Sequence, residues 1–480
     1  MSDGARGARG ARLTLGGQAI KFTVQLLSTV LLARLLGPGD FGTFAMAAAV
    51  TGFAALLSDF GLSTAAIQAT SLSRAQRANL FWISAGIGLT LFAVFFAGAP
   101  LIESFYATSG ITEVIRVMAV SFLLASMTSQ FTAQLTRSLQ FGRLAIVDIT
   151  AQVCGLVAAL LLALDGAGYW ALVGQQLAVT AVVLLMSIVF ARWVPGLPSR
   201  APMKGLLQFA ANSFGVQALS YASGNADSVA LGKVGGADAL GLYDRAYQLF
   251  KIPIQQIAAP LTRVALPILS RQQGDRTKMS RYVVSAQRAV AYVLGAAFCL
   301  GAALASPIIE IALGPNWTSA APIFAVLALG GVFQVMGYVY YWSFLACGLT
   351  GLQLRYSIVT RALMILLIVV GAFGGAMGMA AAVSVGLAVN WAVLSAFPMR
   401  KTGLDVQAIV RTGLRATGVN AAVAGAVWVT DVFVLGALNP FLRIGIGLTL
   451  AALLYAALVW LVPPLRKDAI AIVRAARRRS

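Results

Sequence analysis

Apolar runs of membrane-spanning length follow one another from residue 14 to residue 463, separated by short polar joints, and that succession leaves few folds open. A bilayer core takes about 20 apolar residues per helix. On that measure the runs fall at 14–36, 41–66, 79–102, 114–136, 144–164, 168–191, 206–232, 239–262, 284–306, 319–346, 353–374, 376–397, 413–436 and 441–463. They predict an all-α integral membrane protein of about fourteen transmembrane helices. Composition agrees: 59% of the chain is hydrophobic and 10% charged, where ordinary soluble domains carry about a quarter charged residues. A soluble globular fold is excluded.

Charge placement supplies a second test of the count. With both termini on the cytoplasmic side, alternate joints and their flanks hold all of the 35 Lys and Arg except Arg34, Arg116, Lys233, Arg245, Lys251 and Arg443. Membrane proteins concentrate basic residues in cytoplasmic loops. The net charge of +20 is therefore topological, and the basic tail, which lacks interleaved aromatic residues, points to anionic lipid headgroups and not to nucleic acid. The Gly-rich basic arm carries no small-residue cleavage site after a short apolar core, so it does not read as a removed signal peptide. Pro/Gly-rich or charged joints at 192–205 and 398–412 divide the chain. The expected parts are a basic arm (1–13), six spans (14–191), a cytoplasmic joint (192–205), six more spans (206–397), a last pair (398–463) and a basic tail (464–480).

The two sets of six resemble each other. A shift of 199 residues lays LARLLGPGDFGTF (32–44) on LGKVGGADALGLY (231–243), so that Arg34 meets Lys233, Gly37 meets Gly236 and Gly42 meets Gly241. The preceding spans carry polar residues at one helical spacing: Thr14, Gln18, Lys21, Gln25 and Ser28 in the first, and Ser213, Gln217, Ser220, Gly224 and Asp227 in the seventh. Each set occupies one helix face. A polar stripe facing lipid is costly, so both faces are expected to look into protein or water. Six spans per copy is an even number, which gives the copies parallel orientation, as in parallel-repeat transporters.

The eighth span adds Asp244, Gln248, Lys251 and Gln255 on one face, with Arg245 beside them. Ionisable residues within a membrane helix point to function, although an ion pair of Asp244 or Asp227 with Lys251 or Arg245 is the plainer alternative. Asp59 and Asp227 are equally readable as sites for a coupled proton or cation and as local caps or counter-charges. Catalysis has little to work with. There is no histidine, the three cysteines (Cys154, Cys299 and Cys347) sit singly in apolar runs, and no joint is long enough for a nucleotide-binding domain. Neither a cofactor nor a metal is expected, and the chain reads as a transporter and not as an enzyme.

Three blocks carry a family likeness: ARLLGPGDFGTFAMAAAVTGFAALLSDFGLSTAAIQ (33–68), LTRSLQFGRLAIVDI (135–149) and DSVALGKVGGADALGLYDRAYQLFKIPIQQIAAPLTRVALPILSR (227–271). They resemble the polysaccharide flippase/exporter family of the multidrug/oligosaccharidyl-lipid/polysaccharide exporter superfamily, over about the first 400 residues. The resemblance implies two six-helix lobes around a cavity lined by spans 1, 2, 7 and 8, with two C-terminal helices added. It also implies that the chain moves undecaprenyl-diphosphate-linked oligosaccharide across the bacterial cytoplasmic membrane by alternating access about the joint 192–205, beside glycan polymerase or assembly partners and membrane lipids. A diphosphate needs cations, and sugars need amides, hydroxyls and aromatic faces. Lys21, Arg245 and Lys251 are then the candidates for phosphate, with Arg34 and Lys233 at the outer mouth. Gln18, Gln25, Gln217, Gln248, Gln255, Tyr243 and Tyr247 are the candidates for sugar, and Asp59 and Asp227 for a coupled ion. The competing readings are a multidrug cation antiporter of the same fold, whose cavity should be acidic, and a lipid-linked peptidoglycan precursor flippase, which differs in its head group. A glycan polymerase would need a large outer loop that this chain lacks.

Overall fold

The computed structural model describes residues 3–272 and 274–477. Every expected span is helical. In chain order the helices are α1 (Asp3–Leu35), α2 (Pro38–Asp59), α3 (Leu62–Gln68), α4 (Arg74–Tyr106), α5 (Ile111–Arg137), α6 (Phe141–Leu164), α7 (Trp170–Ala191), α8 (Lys204–Ser270), α9 (Arg276–Ala303), α10 (Ala305–Ala312), α11 (Ala320–Ala346), α12 (Thr350–Ala372), α13 (Gly375–Ala396), α14 (Val406–Phe433), α15 (Pro440–Leu461) and α16 (Pro463–Arg477). Among the described residues, eleven spans are long and apolar enough to cross a membrane, α2 and α3 together forming one. The eleven do not include α1 and α8, the helices that carry the polar stripes. The expected spans at 14–36, 206–232 and 239–262 lie within these two helices.

Local chemistry explains where the helices depart from the expected boundaries. The second span breaks at Phe60 and Gly61, which adopt φ of 44° and 70°. Asp59, the last residue of α2, then accepts from the Ser63 backbone N–H (3.1 Å) and hydroxyl (2.7 Å) in the first turn of α3. Within α8, spans seven and eight are two helices that meet at a kink at Gly236 (φ 77°, ψ −176°), a conformation open essentially to glycine alone. Helix α1 extends back through the expected basic arm to Asp3, and the expected basic tail forms α16 up to Arg477. Arg478 and Arg479 lie outside the described residues.

By its contacts the chain forms two compact units, residues 1–241 and 242–480. In the first, small residues let helices approach closely, as membrane helix packing requires. A Cβ at Gly88 of α4 would lie 2.0 Å from Ser126 Oγ of α5, and one at Gly155 of α6 would lie 2.4 Å from Val179 of α7. The joint at 192–205 is non-helical over residues 193–203 and strapped to α4. Trp82 Nε1 donates to Gly196 O (2.9 Å), Asn79 exchanges hydrogen bonds with Ser199 (2.6 and 2.9 Å), and Gln76 Nε2 donates to Pro202 O (2.9 Å). The start of α8 packs on the same unit: Ala210 joins Leu62, Ala65, Ala66, Leu80 and Ala133 in one apolar cluster, and Phe214 stacks on Phe60 at 4.7 Å. Tyr221 Oη donates to the Ala48 and Ala49 carbonyls at 3.3 Å.

The repeat-related segments 37–42 and 236–241 meet within this unit, backbone on backbone. A Cβ at Gly42 would stand 1.7 Å from the Ala237 carbonyl oxygen, and one at Gly241 would stand 1.9 Å from the Pro38 carbonyl oxygen. Under the 199-residue shift, 42 corresponds to 241 and 38 to 237, so each contact is the image of the other.

The second unit is built on α9, α11, α13 and α14. A Cβ at Gly330 of α11 would lie 2.6 Å from Ser384 Oγ of α13, and Asn420 of α14 donates to Ala291 O of α9 (2.8 Å) while accepting from Tyr455 Oη (2.9 Å). The buried pair Arg443–Asp431 ties α15 to α14 through two hydrogen bonds of 2.9 and 2.7 Å. Asp468 anchors α16, with Arg288 Nε at 2.8 Å and Arg415 Nη2 at 2.5 Å, and accepts from Tyr292 Oη at 3.1 Å.

Candidate functional site

Each unit carries its own polar cluster. In the first, Gly17, Gln18 and Lys21 of α1 face Phe141, Leu144, Ala145 and Asp148 of α6 around a cleft of about 220 Å³. The helices come close because Gly17 has no side chain: a Cβ there would lie 2.7 Å from that of Ala145. Lys21 Nζ lies 3.0 Å from Asp148 Oδ2, and the two side chains are 32% and 40% exposed. Further along the stripe, buried Ser28 accepts from Gln175 Nε2 of α7 (2.7 Å), and Gln25 is exposed. Lys21 and Gln18 thus line one cleft between α1 and α6. The spacing did not point to Asp148 or Gln175. Asp148 stands in the block 135–149, where an acid inside a membrane helix is itself the signal.

The other first-unit candidates are bound more locally. Asp59 is committed to Ser63. Asp227 is buried and accepts from the Ser228 N–H (2.9 Å). Gln217 Nε2 lies 3.4 Å from Ser213 Oγ, one turn back. Lys233 donates to the Phe105 carbonyl and sits 5.1 Å from the Phe105 ring. Arg34 is exposed in the last turn of α1, where a cation complements the helix dipole.

In the second unit the residues following Gly241 gather on one face of α8. One oxygen of Asp244 accepts from Arg245 Nη2 (2.6 Å), Arg245 Nε (3.2 Å) and Gln248 Nε2 (3.1 Å). Helical spacing stacks Tyr243, Tyr247 and Phe250 at 5.4 and 5.6 Å, and Phe298 of α9 continues the row. Lys251 Nζ lies 4.0 Å from the Tyr247 ring centroid, a cation–π contact. Tyr243 is fully buried, so it backs Tyr247 and offers no face of its own to a sugar. Arg245 is 8% exposed, and Gln255 is exposed. The cluster offers a half-buried aromatic face, a lysine and free amide capacity, which together suit an anionic, hydroxyl-bearing ligand. Among the described residues no group of three His, Cys, Asp or Glu side chains is placed to hold a metal.

Comparison with known proteins places these residues in context. Residues 31–322 match the family model for polysaccharide biosynthesis proteins. The chain is 25% identical over 316 residues to the teichuronic acid biosynthesis protein TuaB of Bacillus subtilis, covering 65% of each chain. It is 23% identical to the lipopolysaccharide biosynthesis protein WzxC of Escherichia coli, over 77% of this chain and 76% of that one. It is 26% identical to the succinoglycan biosynthesis transport protein ExoT of Rhizobium meliloti, over 64% and 63%. The matched part thus spans slightly less than two thirds of TuaB and ExoT. In fold, the protein is similar to the lipid II flippase MurJ in an inward closed conformation, with a TM-score of 0.69 at 13% identity over 93% of this chain and 98% of that one. It is also similar to an inward-facing multidrug resistance MATE family transporter of the MOP superfamily, with a TM-score of 0.57 at 16% identity over 82% and 96%. These two likenesses are likenesses of fold.

Proposed function

We propose, from the premise that this chain belongs to the polysaccharide biosynthesis protein family, that it moves a lipid-linked oligosaccharide, carried on undecaprenyl diphosphate, from the cytoplasmic to the outer leaflet for polysaccharide assembly. The observation that carries this reading is the placement of Lys21 in the cleft of α1 and of Arg245, Lys251 and Tyr247 together on α8, within a chain that is otherwise nearly all apolar. A diphosphate is held by cations, and sugar rings stack on aromatic faces and hydrogen-bond to amides. Lys21, Arg245 and Lys251 serve the phosphates in this reading. Gln18, Gln25, Gln217, Gln248, Gln255 and Tyr247 serve the sugars, with Tyr243 behind Tyr247, and Arg34 and Lys233 stand at the outer mouth.

The distribution of basic residues favours cytoplasmic termini in a bacterial cytoplasmic membrane. Transport without chemistry on the substrate fits the same residues, and glycan polymerase or assembly proteins would act on what is delivered. For a coupled ion, Asp227, buried within the polar stripe, suits the role better than Asp59, which is hydrogen-bonded to Ser63 across the α2–α3 turn.

The test is the lipid pool. Cells lacking the protein should accumulate lipid-linked glycan on the cytoplasmic side, and Lys251→Ala should lower surface glycan at least several-fold at normal protein level. An unchanged pool in the deletion strain counts against the reading. A pool carrying the peptidoglycan precursor head group would transfer the role to that substrate. Resistance to lipophilic cations that falls on deletion, with an unchanged glycan pool, would support the multidrug reading instead; the basic character of the α8 cluster disfavours it.

A further inference from the structure

The ion pair in the cleft between α1 and α6 poses a question that substrate binding alone does not answer. A phosphate-binding lysine gains from being unencumbered, yet Lys21 is held by Asp148 at 3.0 Å. The pair could be a strut joining α1 to α6. Two observations speak for more than that. First, the duplication supplies an internal control: 199 residues along, Lys21 is replaced by Ser220, so the second copy builds its counterpart helix without a lysine at this position. Second, the pair is not sealed by packing. About a third or more of each side chain is exposed, and the cleft of about 220 Å³ beside it is lined by Gln18 and by the small residues Gly17 and Ala145.

We propose that Asp148 is an exchangeable counter-ion for Lys21, which neutralises the ammonium in the empty protein and yields it to the diphosphate of the substrate. This rests on the transport reading above and names the residue that sets affinity there. An unpaired ammonium within a membrane helix is costly, and an anion meeting one would be held too firmly to leave. When one carboxylate is traded for one phosphate oxygen, the lysine stays paired throughout, and the net affinity is the difference between two ion pairs. Release then runs the exchange backwards, with Asp148 reclaiming Lys21. Asp148 is a positioning and affinity-setting residue and touches no reacting atom.

The experiment uses the full-length protein in nanodiscs with geranylgeranyl diphosphate as the probe and geranylgeraniol as the uncharged control. Wild type should bind the diphosphate and not the alcohol. Lys21→Gln should bind it about tenfold more weakly, and Asp148→Asn about tenfold more tightly, the scale of one charge-assisted bond. The double variant should behave like Lys21→Gln, because Asp148 acts only through the lysine. In cells, Asp148→Asn should export more slowly despite binding more tightly.

A second measurement needs no variant. Labelling of Asp148 by a hydrophobic carbodiimide, read by peptide mass, should rise several-fold when the probe takes Lys21 away. If wild type ignores the probe, the transport reading falls and this proposal with it. If wild type binds the probe while Asp148→Asn binds no more tightly, or Asp148 labelling does not rise, the pair is a strut and this proposal alone falls.

Discussion

At the scale of single residues, the buried Arg443–Asp431 pair is the clearest case of a charge held by geometry. Both groups are nearly inaccessible, and two parallel hydrogen bonds join them. Removing one partner leaves the other charged and desolvated, which costs about 3–5 kcal/mol, whereas replacing both by apolar residues is often neutral. Arg443→Met is therefore expected to lower the thermal midpoint sharply in detergent, and Arg443→Met with Asp431→Leu to recover most of the loss. Residues of this kind divide what sequence can and cannot convey. The cluster of Asp244, Arg245 and Gln248 was legible, because all three lie within about one turn of one helix and periodicity alone sets them side by side. The partnership of Lys21 with Asp148, separated by 127 positions, was not. A helical repeat says which side chains share a face and is silent on which helix that face meets. The same limit hid the carbonyls that Lys233 and Tyr221 reach.

At the scale of helices, hydropathy located every span, since the bilayer's thickness imposes a length that sequence must satisfy. The seventh and eighth spans are two helices that meet at a kink at Gly236, within the stretch labelled α8. Gly236 occupies its unusual backbone conformation with open space where a Cβ would project, so a larger residue there meets backbone strain and no clash. Gly236→Ala is expected to cost about 1–3 kcal/mol. Gly215→Ala, also in α8 with open space around it, should be neutral or stabilising by up to about 1 kcal/mol. Thermal midpoints of the two purified variants check the contrast; equal midpoints would mean that Gly236 can relax into ordinary helix without loss. The strap of residues 193–203 along α4 is a further feature that composition could not convey. Pro and Gly mark a joint as non-helical and leave open whether it hangs free or is tied down.

At the scale of the whole chain, duplication was the most informative signal in the sequence, and the structure gives it a physical site. The alignment that equated Gly37 with Gly236 and Gly42 with Gly241 came from residue identity alone, yet it picked out two segments that lie against each other. Pro38 and Ala237 present their carbonyls to the opposing glycines. Separations of 1.7 and 1.9 Å are far inside contact distance, so neither glycine tolerates a side chain without backbone movement. Gly42→Leu and Gly241→Leu should therefore each lower surface glycan and thermal stability, and to a similar degree, while Gly16→Leu, where no neighbour lies within 4 Å, should leave both nearly unchanged. A marked disparity between the first two would mean that the symmetry is only approximate in energy. If they match, two positions 199 residues apart behave as one genetic locus: damage to either is the same lesion, and a compensating change is to be sought in the opposite ancestral copy instead of nearby in the chain.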